Sequence, residues 1–183
     1  MQILAISGSL RRESWNTRLL RAAEELLPEG VAFELYEQLE QVPPYNEDRD
    51  GDDPPAAAQH LRGAIAGADA VLFATPEYNS SIPGQLKNAV DWASRPHRTS
   101  ALWGKPVAAV GASSGMYGAV WAQAELRKAL ATAGARVVDA EVAVGRAATR
   151  FDEGGRLIDE EIRDELRATV AALVAATELL VAA

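Results

Sequence analysis

The chain has no cysteine among its 183 residues. That excludes a disulfide framework, a thiolate nucleophile and any cysteine-ligated metal or iron–sulfur centre. Histidine is almost as scarce: His60 and His97 are the two present, too few for a histidine-rich metal site. Positive charge is in deficit, with 18 Lys and Arg against 26 Asp and Glu and a net charge of −8. So acidic a chain has no electrostatic reason to seek nucleic acid or an anionic membrane surface. The opening Met1-Gln-Ile-Leu-Ala-Ile-Ser carries no basic leader and only a short apolar run, so no secretory signal is read there and a cytoplasmic location is expected. Ala168 to Ala183 is apolar enough to suggest an anchor, but Glu178 interrupts it and it falls short of the roughly 20 residues a spanning helix needs. It reads as a packed terminal helix. What remains is one domain, 48% hydrophobic, whose chemistry must come from hydroxyls, amides, carboxylates or a borrowed cofactor.

Short apolar runs alternate with helical periodicity from end to end. Ile3 to Ile6 is a continuous apolar run, and Leu19, Ala23, Leu26 and Leu27 then share a helix face. Val31 to Tyr36 reads as a second strand, Glu37 to Pro55 as a long loop, and Ala57, Leu61 and Ile65 as the stripe of a helix. Ala70 to Thr75 is a third strand, followed by Pro83 at a helix start and a stripe of Leu86, Ala89, Val90 and Ala93. Pro106 to Ala112 is a fourth strand, Tyr117 to Ala133 a helix stopped by Gly134, and Arg136 to Val144 a fifth strand. Asp159 can cap a last helix bearing Ile162, Leu166, Val170, Leu173 and Val174.

Five such units predict a doubly wound α/β domain with a parallel sheet. Strands one, three and four are apolar nearly throughout, as strands buried on both faces must be. Strands two and five admit charges, as edges do. The expected order is therefore 2-1-3-4-5, the flavodoxin-like arrangement, within a single domain. In that order the connections from strands one and three leave toward opposite faces, and ligands bind at the crevice between their carboxyl ends. The loops after strands one, three and four should carry the chemistry.

After strand one, Ser7 to Thr17 gathers hydroxyls, an amide and arginines ahead of a helix. Helix-terminal N–H groups among such side chains make a phosphate cradle; a capped helix start with solvated arginines fits the same residues. After strand three, Thr75 to Trp92 offers a proline-stiffened loop with an aromatic ring, amides and hydroxyls. It suits a flat heteroaromatic ligand, or a plain turn with Tyr78 packed on its helix.

Together these segments resemble the NAD(P)H-dependent FMN reductases, a flavodoxin-like family with quinone, chromate and azo reductase members. The family's G-S-x-R-x-x-S-x-N loop stands here as Gly8 to Asn16, and its P-E-Y-N-x-S-x-P-G-x-L-K-N-A-x-D-W signature as Pro76 through Trp92. The resemblance covers roughly the first 145 residues. It implies that Ser9, Arg11, Ser14 and Asn16 hold the FMN phosphate. Pro76, Glu77, Tyr78 and Asn79 would line the isoalloxazine, largely through main-chain groups, and Ser113 and Gly115 of the third loop would meet its other edge. Pro43 to Asp48 resembles the family's loop near the flavin, often at a subunit contact. The resemblance also implies NADPH or NADH as co-substrate, a small-molecule electron acceptor and a homodimer or homotetramer. A flavodoxin-like electron carrier or regulatory flavin binder without turnover is the alternative.

Gly111-Ala-Ser-Ser-Gly115 also satisfies the G-x-S-x-G nucleophile elbow. A serine hydrolase needs a histidine after its serine, and the last one is His97. A phosphoacceptor receiver domain needs an aspartate ending strand three, where Thr75 stands. Both readings fail. His97 reads as a surface residue or a cofactor-phosphate partner, the acidic run Asp48 to Asp53 as a solvated loop, and Trp92 and Trp121 as core or interface.

Overall fold

The computed structural model describes residues 1–181. Three strands form the buried centre: β1 (Gln2–Ser7), β3 (Ala70–Thr75) and β4 (Pro106–Ala112). All of β3 and β4 is buried, which is why these strands tolerate no polar alternation. On the outside of β1 lies β2 (Ala32–Leu35), whose exposed and half-buried residues alternate as an edge requires. All pairings within the sheet are parallel and the order is β2-β1-β3-β4, followed on the far side of β4 by β5 (Arg136–Val137), the order expected for a flavodoxin-like sheet.

The edge beyond β4 differs from expectation. Instead of one strand over 136–144, two short pieces pair with β4: β5 (Arg136–Val137) beside its start and β6 (Ala143–Val144) beside its end. Between them the chain leaves the ladder at a tight turn in which the Ala140 N–H reaches the Val138 carbonyl at 3.0 Å. Arg127 holds that excursion from outside, bonding the Ala140 carbonyl and the Asp139 carboxylate. Asp139 and Glu141 are the residues that break the run, and they turn to solvent and to Arg127 rather than into the ladder. Among the described residues the sheet therefore has six strands.

Alternate residues of the central strands feed two apolar layers. Leu4, Ile6, Val71 and Phe73 face one way, against α2 (Ala56–Gly67), α3 (Gly84–Ala93) and α4 (Val120–Thr132). Ile3, Ala5, Leu72 and Val110 face the other way, against α1 (Trp15–Glu24) and α5 (Glu160–Val181). Asp159 caps α5 as its position suggests, accepting from the Ile162 N–H at 3.2 Å. Among the described residues no helix is long and apolar enough to cross a membrane.

The long loop after β2 is not free chain. It contains 3-10 turns at Leu39–Gln41 and Glu47–Arg49 and buries Leu39 and Val42. Its backbone is held by one face of α3: Gln85 donates to the Leu39 and Val42 carbonyls, Asn88 to the Pro43 carbonyl, and the Trp92 indole to the same Pro43 carbonyl at 2.8 Å. Asn88 also accepts from the Tyr45 N–H. Trp92 is fully buried with Tyr45 edge-on at 5.0 Å. Of the acidic run, Asp50 pairs with Arg62 at 2.7 Å.

Candidate functional site

The connections from β1 and β3 leave toward opposite faces, α1 on one side and α3 on the other. Their first turns therefore part at the carboxyl ends of two adjacent strands and open a crevice. Gly8 lies at its base: its N–H donates to the Ala74 carbonyl at 2.7 Å, carrying the β1–β3 ladder one residue further. A Cβ on Gly8 would come within 2.7 Å of the Leu86 side chain on α3. A side chain here would have to displace Leu86, so glycine permits the first loop to approach α3 closely.

The first loop ends at Ser14, which caps α1 by accepting from the Thr17 N–H at 3.3 Å. Its hydroxyl proton remains to donate. The first turn of α1 holds no acidic residue, so the partial positive charge of the helix end is not neutralised from within. Glu13, just ahead, is drawn aside to Arg18 at 2.5 Å, and Arg18 in turn lies over the Trp15 ring. Ser9 half-faces solvent, while Arg11 and Arg12 are exposed. Hydroxyl and amide donors at an uncompensated helix start, with free guanidinium groups beside them, fit a phosphomonoester dianion.

Asn16 is placed differently from its loop companions. It is 2% exposed, and both ends of its carboxamide are spent on the backbone of Ala112, at 3.0 Å and 2.9 Å. It fastens the start of α1 to the end of β4.

The second loop is built around a two-residue turn. Tyr78 and Ser81 exchange both backbone hydrogen bonds, at 3.0 and 3.1 Å, and the two residues between them, Asn79 and Ser80, sit at φ 53° and 60°. Positive φ at both central positions defines the tightest hairpin geometry. Serine adopts it at a cost, so the turn holds one shape against local preference. Pro76 precedes it, its carbonyl taken by the Thr75 hydroxyl at 2.7 Å. Tyr78 is 51% exposed, so its ring is not buried against the helix. The Glu77 carboxylate turns away to α4, accepting from the N–H groups of Trp121 and Ala122, both at 3.1 Å.

The third loop runs over the ends of β4 and β6. Ser113 donates its N–H to the Val144 carbonyl, and its own carbonyl accepts from Ala147. Its hydroxyl accepts from the Gly115 N–H at 3.0 Å, and the Gly115 carbonyl accepts from Arg146. Neither imidazole is among the partners of Ser113, so the G-x-S-x-G arrangement here is a turn. Gly118 has φ +59° and lies so close to Ala143 that a Cβ would stand 2.3 Å from its carbonyl carbon; no other residue fits.

Of the residues singled out from sequence, Ser9, Arg11 and Ser14 share the first loop, and Pro76 to Asn79 and Ser113 to Gly115 the loops beyond β3 and β4. His97 lies apart, in a groove of about 650 Å³ between α3 and α4 that Lys87, Arg95 and Lys128 also line, with its ring edge-on to Trp103. Trp121 is 47% exposed and belongs to no core. A small crevice of about 170 Å³ beside the first loop is lined by Ser7, Ser9, Thr17 and Tyr36; burial pushes the Tyr36 hydroxyl pKa up and keeps it protonated. Unremarked in sequence were the roles of Gln85, Asn88 and Trp92. Their i, i+3, i+7 spacing places them on one helix face and was the available signal.

The profile described as NADPH-dependent FMN reductase matches residues 1–149. An NAD(P)H-dependent FMN reductase of Pseudomonas aeruginosa is 42% identical over 174 residues, covering 94% of this chain and 93% of that protein. A quinone reductase of Pseudomonas putida is 42% identical over 159 residues, covering 86% and 85%. Among solved structures, the flavoenzyme NAD(P)H:(acceptor) oxidoreductase FerB of Paracoccus denitrificans superposes with a TM-score of 0.85 at 35% identity, covering 97% of each chain. The chain belongs to the NADPH-dependent FMN reductase family.

Proposed function

We propose that this protein is an FMN-containing oxidoreductase that draws reducing equivalents from NADPH or NADH and delivers them to a quinone-like acceptor. The observation that supports it most is the meeting, at one switch point, of an acid-free helix start and a rigid turn bearing an exposed aromatic ring. Bound there, FMN would supply a two-electron carrier that takes hydride from the nicotinamide and, once that has left, passes it to the acceptor. The protein's part is position and charge. Ser9, Ser14, Arg11 and the first N–H groups of α1 hold the phosphate; Asn16 keeps that helix start in register with β4. The backbone of Pro76 to Asn79 lines one side of the ring and that of Ser113 to Gly115 another. No side chain is required as acid or base.

The same reading includes a homodimer or homotetramer and a cytoplasmic location. Exposed Leu10, Tyr78, Met116, Tyr117 and Trp121 belong to or follow the three loops, and apolar surface gathered at one end of a domain favours a partner. Sedimentation of the purified protein decides the oligomer.

Anaerobic reduction by each nicotinamide nucleotide, followed by steady-state turnover with a panel of acceptors including menadione, tests the function. Rapid reduction and multiple turnovers are expected. Flavin binding with almost no NAD(P)H oxidation would instead identify an electron carrier.

A further inference from the structure

The start of α4 lacks what a helix start normally has. Ala119, in the N-cap position, has φ 64° and offers no side-chain acceptor, and the first turn carries no acidic residue. An N-cap side chain ordinarily accepts from the second and third N–H groups of its helix. In α4 those belong to Trp121 and Ala122, and both are bound by the carboxylate of Glu77, more than forty residues earlier in the chain. The positive end of the helix favours that charge. One turn further along α4, Glu125 accepts from the Ser81 hydroxyl at 2.5 Å. The Tyr78–Ser81 turn is therefore gripped on both sides by α4, through the residue before it and through its last residue.

The third loop divides at the same place. Up to Gly115 it is pinned to β6 and the residues after it. From there to α4 its holds are fewer: the buried Gln123 amide donates to the Gly118 carbonyl at 3.0 Å, and the helix start itself is held by Glu77. We propose that Glu77 is a positioning residue that serves as the N-cap of α4 and thereby couples the loop after β3 to the loop after β4. The two walls offered to an isoalloxazine then move as one body. Glu77 acts through the helix, and its side chain does not touch the flavin. The functional half of the proposal rests on the flavin reading above; the structural half does not.

The test compares Glu77→Ala, Glu77→Gln and Ser81→Ala with the parent by amide hydrogen exchange on the apoprotein and by titration with FMN and riboflavin. Losing an N-cap corresponds to about 2- to 30-fold in an equilibrium. In Glu77→Ala, exchange at Trp121 and Ala122 should quicken by about that factor, and exchange across Tyr78–Ser81 should quicken with it. Both flavins should bind weaker by a common factor of the same size, since the walls meet the ring and not the phosphate. Glu77→Gln keeps an acceptor oxygen and should restore both readouts to within about threefold. Ser81→Ala, which leaves the cap intact, should weaken both flavins about 2- to 10-fold and serves if Glu77→Ala does not fold. Unchanged exchange at Trp121 and Ala122 in Glu77→Ala overturns the cap. Quickened exchange there, with the Tyr78–Ser81 amides and flavin affinity unmoved, overturns the coupling. If the parent itself binds neither flavin, the flavin reading fails, and exchange at Tyr78–Ser81 alone decides between coupling and an isolated cap.

Discussion

A phosphate bearing close to two negative charges has to be met on a protein whose net charge is already −8. The end of α1 supplies only a fraction of a positive charge, and Glu13 beside it is neutralised by Arg18. Arg11 and Arg12 are the exposed cations of the first loop. Arg11, the arginine of the family motif, is assigned to the phosphate. A charge-assisted hydrogen bond is worth about 1.5–3 kcal/mol, so Arg11→Ala should weaken FMN roughly 10- to 150-fold. Riboflavin, which has no phosphate, should be nearly indifferent, and Arg12→Ala should cost much less. Equal losses for the two flavins would place the phosphate elsewhere. Ser113 gives the opposite expectation. Its hydroxyl accepts from the Gly115 N–H within its own turn, so Ser113→Ala removes one local bond, and most NAD(P)H turnover should survive. Abolished turnover with FMN still bound would assign the hydroxyl a chemical role.

Elements join where single side chains bridge them, and Asn16 is the clearest case. Its amide fills both backbone valences of Ala112 across 96 positions in the chain. In Asn16→Ala both valences would be left buried and unpaired, each costing about 1–3 kcal/mol. Apoprotein stability should fall by about 2–6 kcal/mol in a urea melt, with no flavin needed to see it; a loss under about 1 kcal/mol would mean that water repairs the gap. Such bridges were not legible in the sequence. The motif marks Asn16 and Glu77, but a motif read along the chain assigns both to the ligand, whereas one ties α1 to β4 and the other ties the turn after β3 to α4. What could be read was what depends on burial alone. The uninterrupted apolar runs of β1, β3 and β4 placed them at the centre, and from that the sheet order and the switch point followed. The fifth strand shows where that logic stops. Val137, Val138, Val142 and Val144 read as one strand, yet Asp139 and Glu141 find Arg127 outside the sheet, and the strand divides around them.

At the scale of the whole molecule the acidic surplus is unevenly placed, and its cost is concentrated near the start of α5. Glu161 and Glu165 are one turn apart on that helix, where like charges repel. Asp159 and Glu141 add to the field, and Arg150 is engaged by Asp159 at 2.5 Å. Partial burial first, and then Glu161, Asp159 and Glu141, push the Glu165 carboxyl above its ordinary value of 4.5. The sign follows from linkage. A carboxyl whose pKa is higher folded than unfolded binds its proton more readily in the folded state, so its ionisation opposes folding. Stability is therefore lost as pH rises through the interval between the ordinary value and the raised one, and the full penalty stands at neutral pH. Glu165→Gln removes the charge while keeping the shape. It should melt higher than the parent at pH 7, the difference should shrink through the same interval, and the two should coincide below it. FMN affinity should be unchanged, because Glu165 lies in none of the three loops. A gain in melting temperature that grows on acidification, or a variant less stable than the parent at pH 7, would show that Glu165 is held by a favourable partner rather than crowded by its own kind.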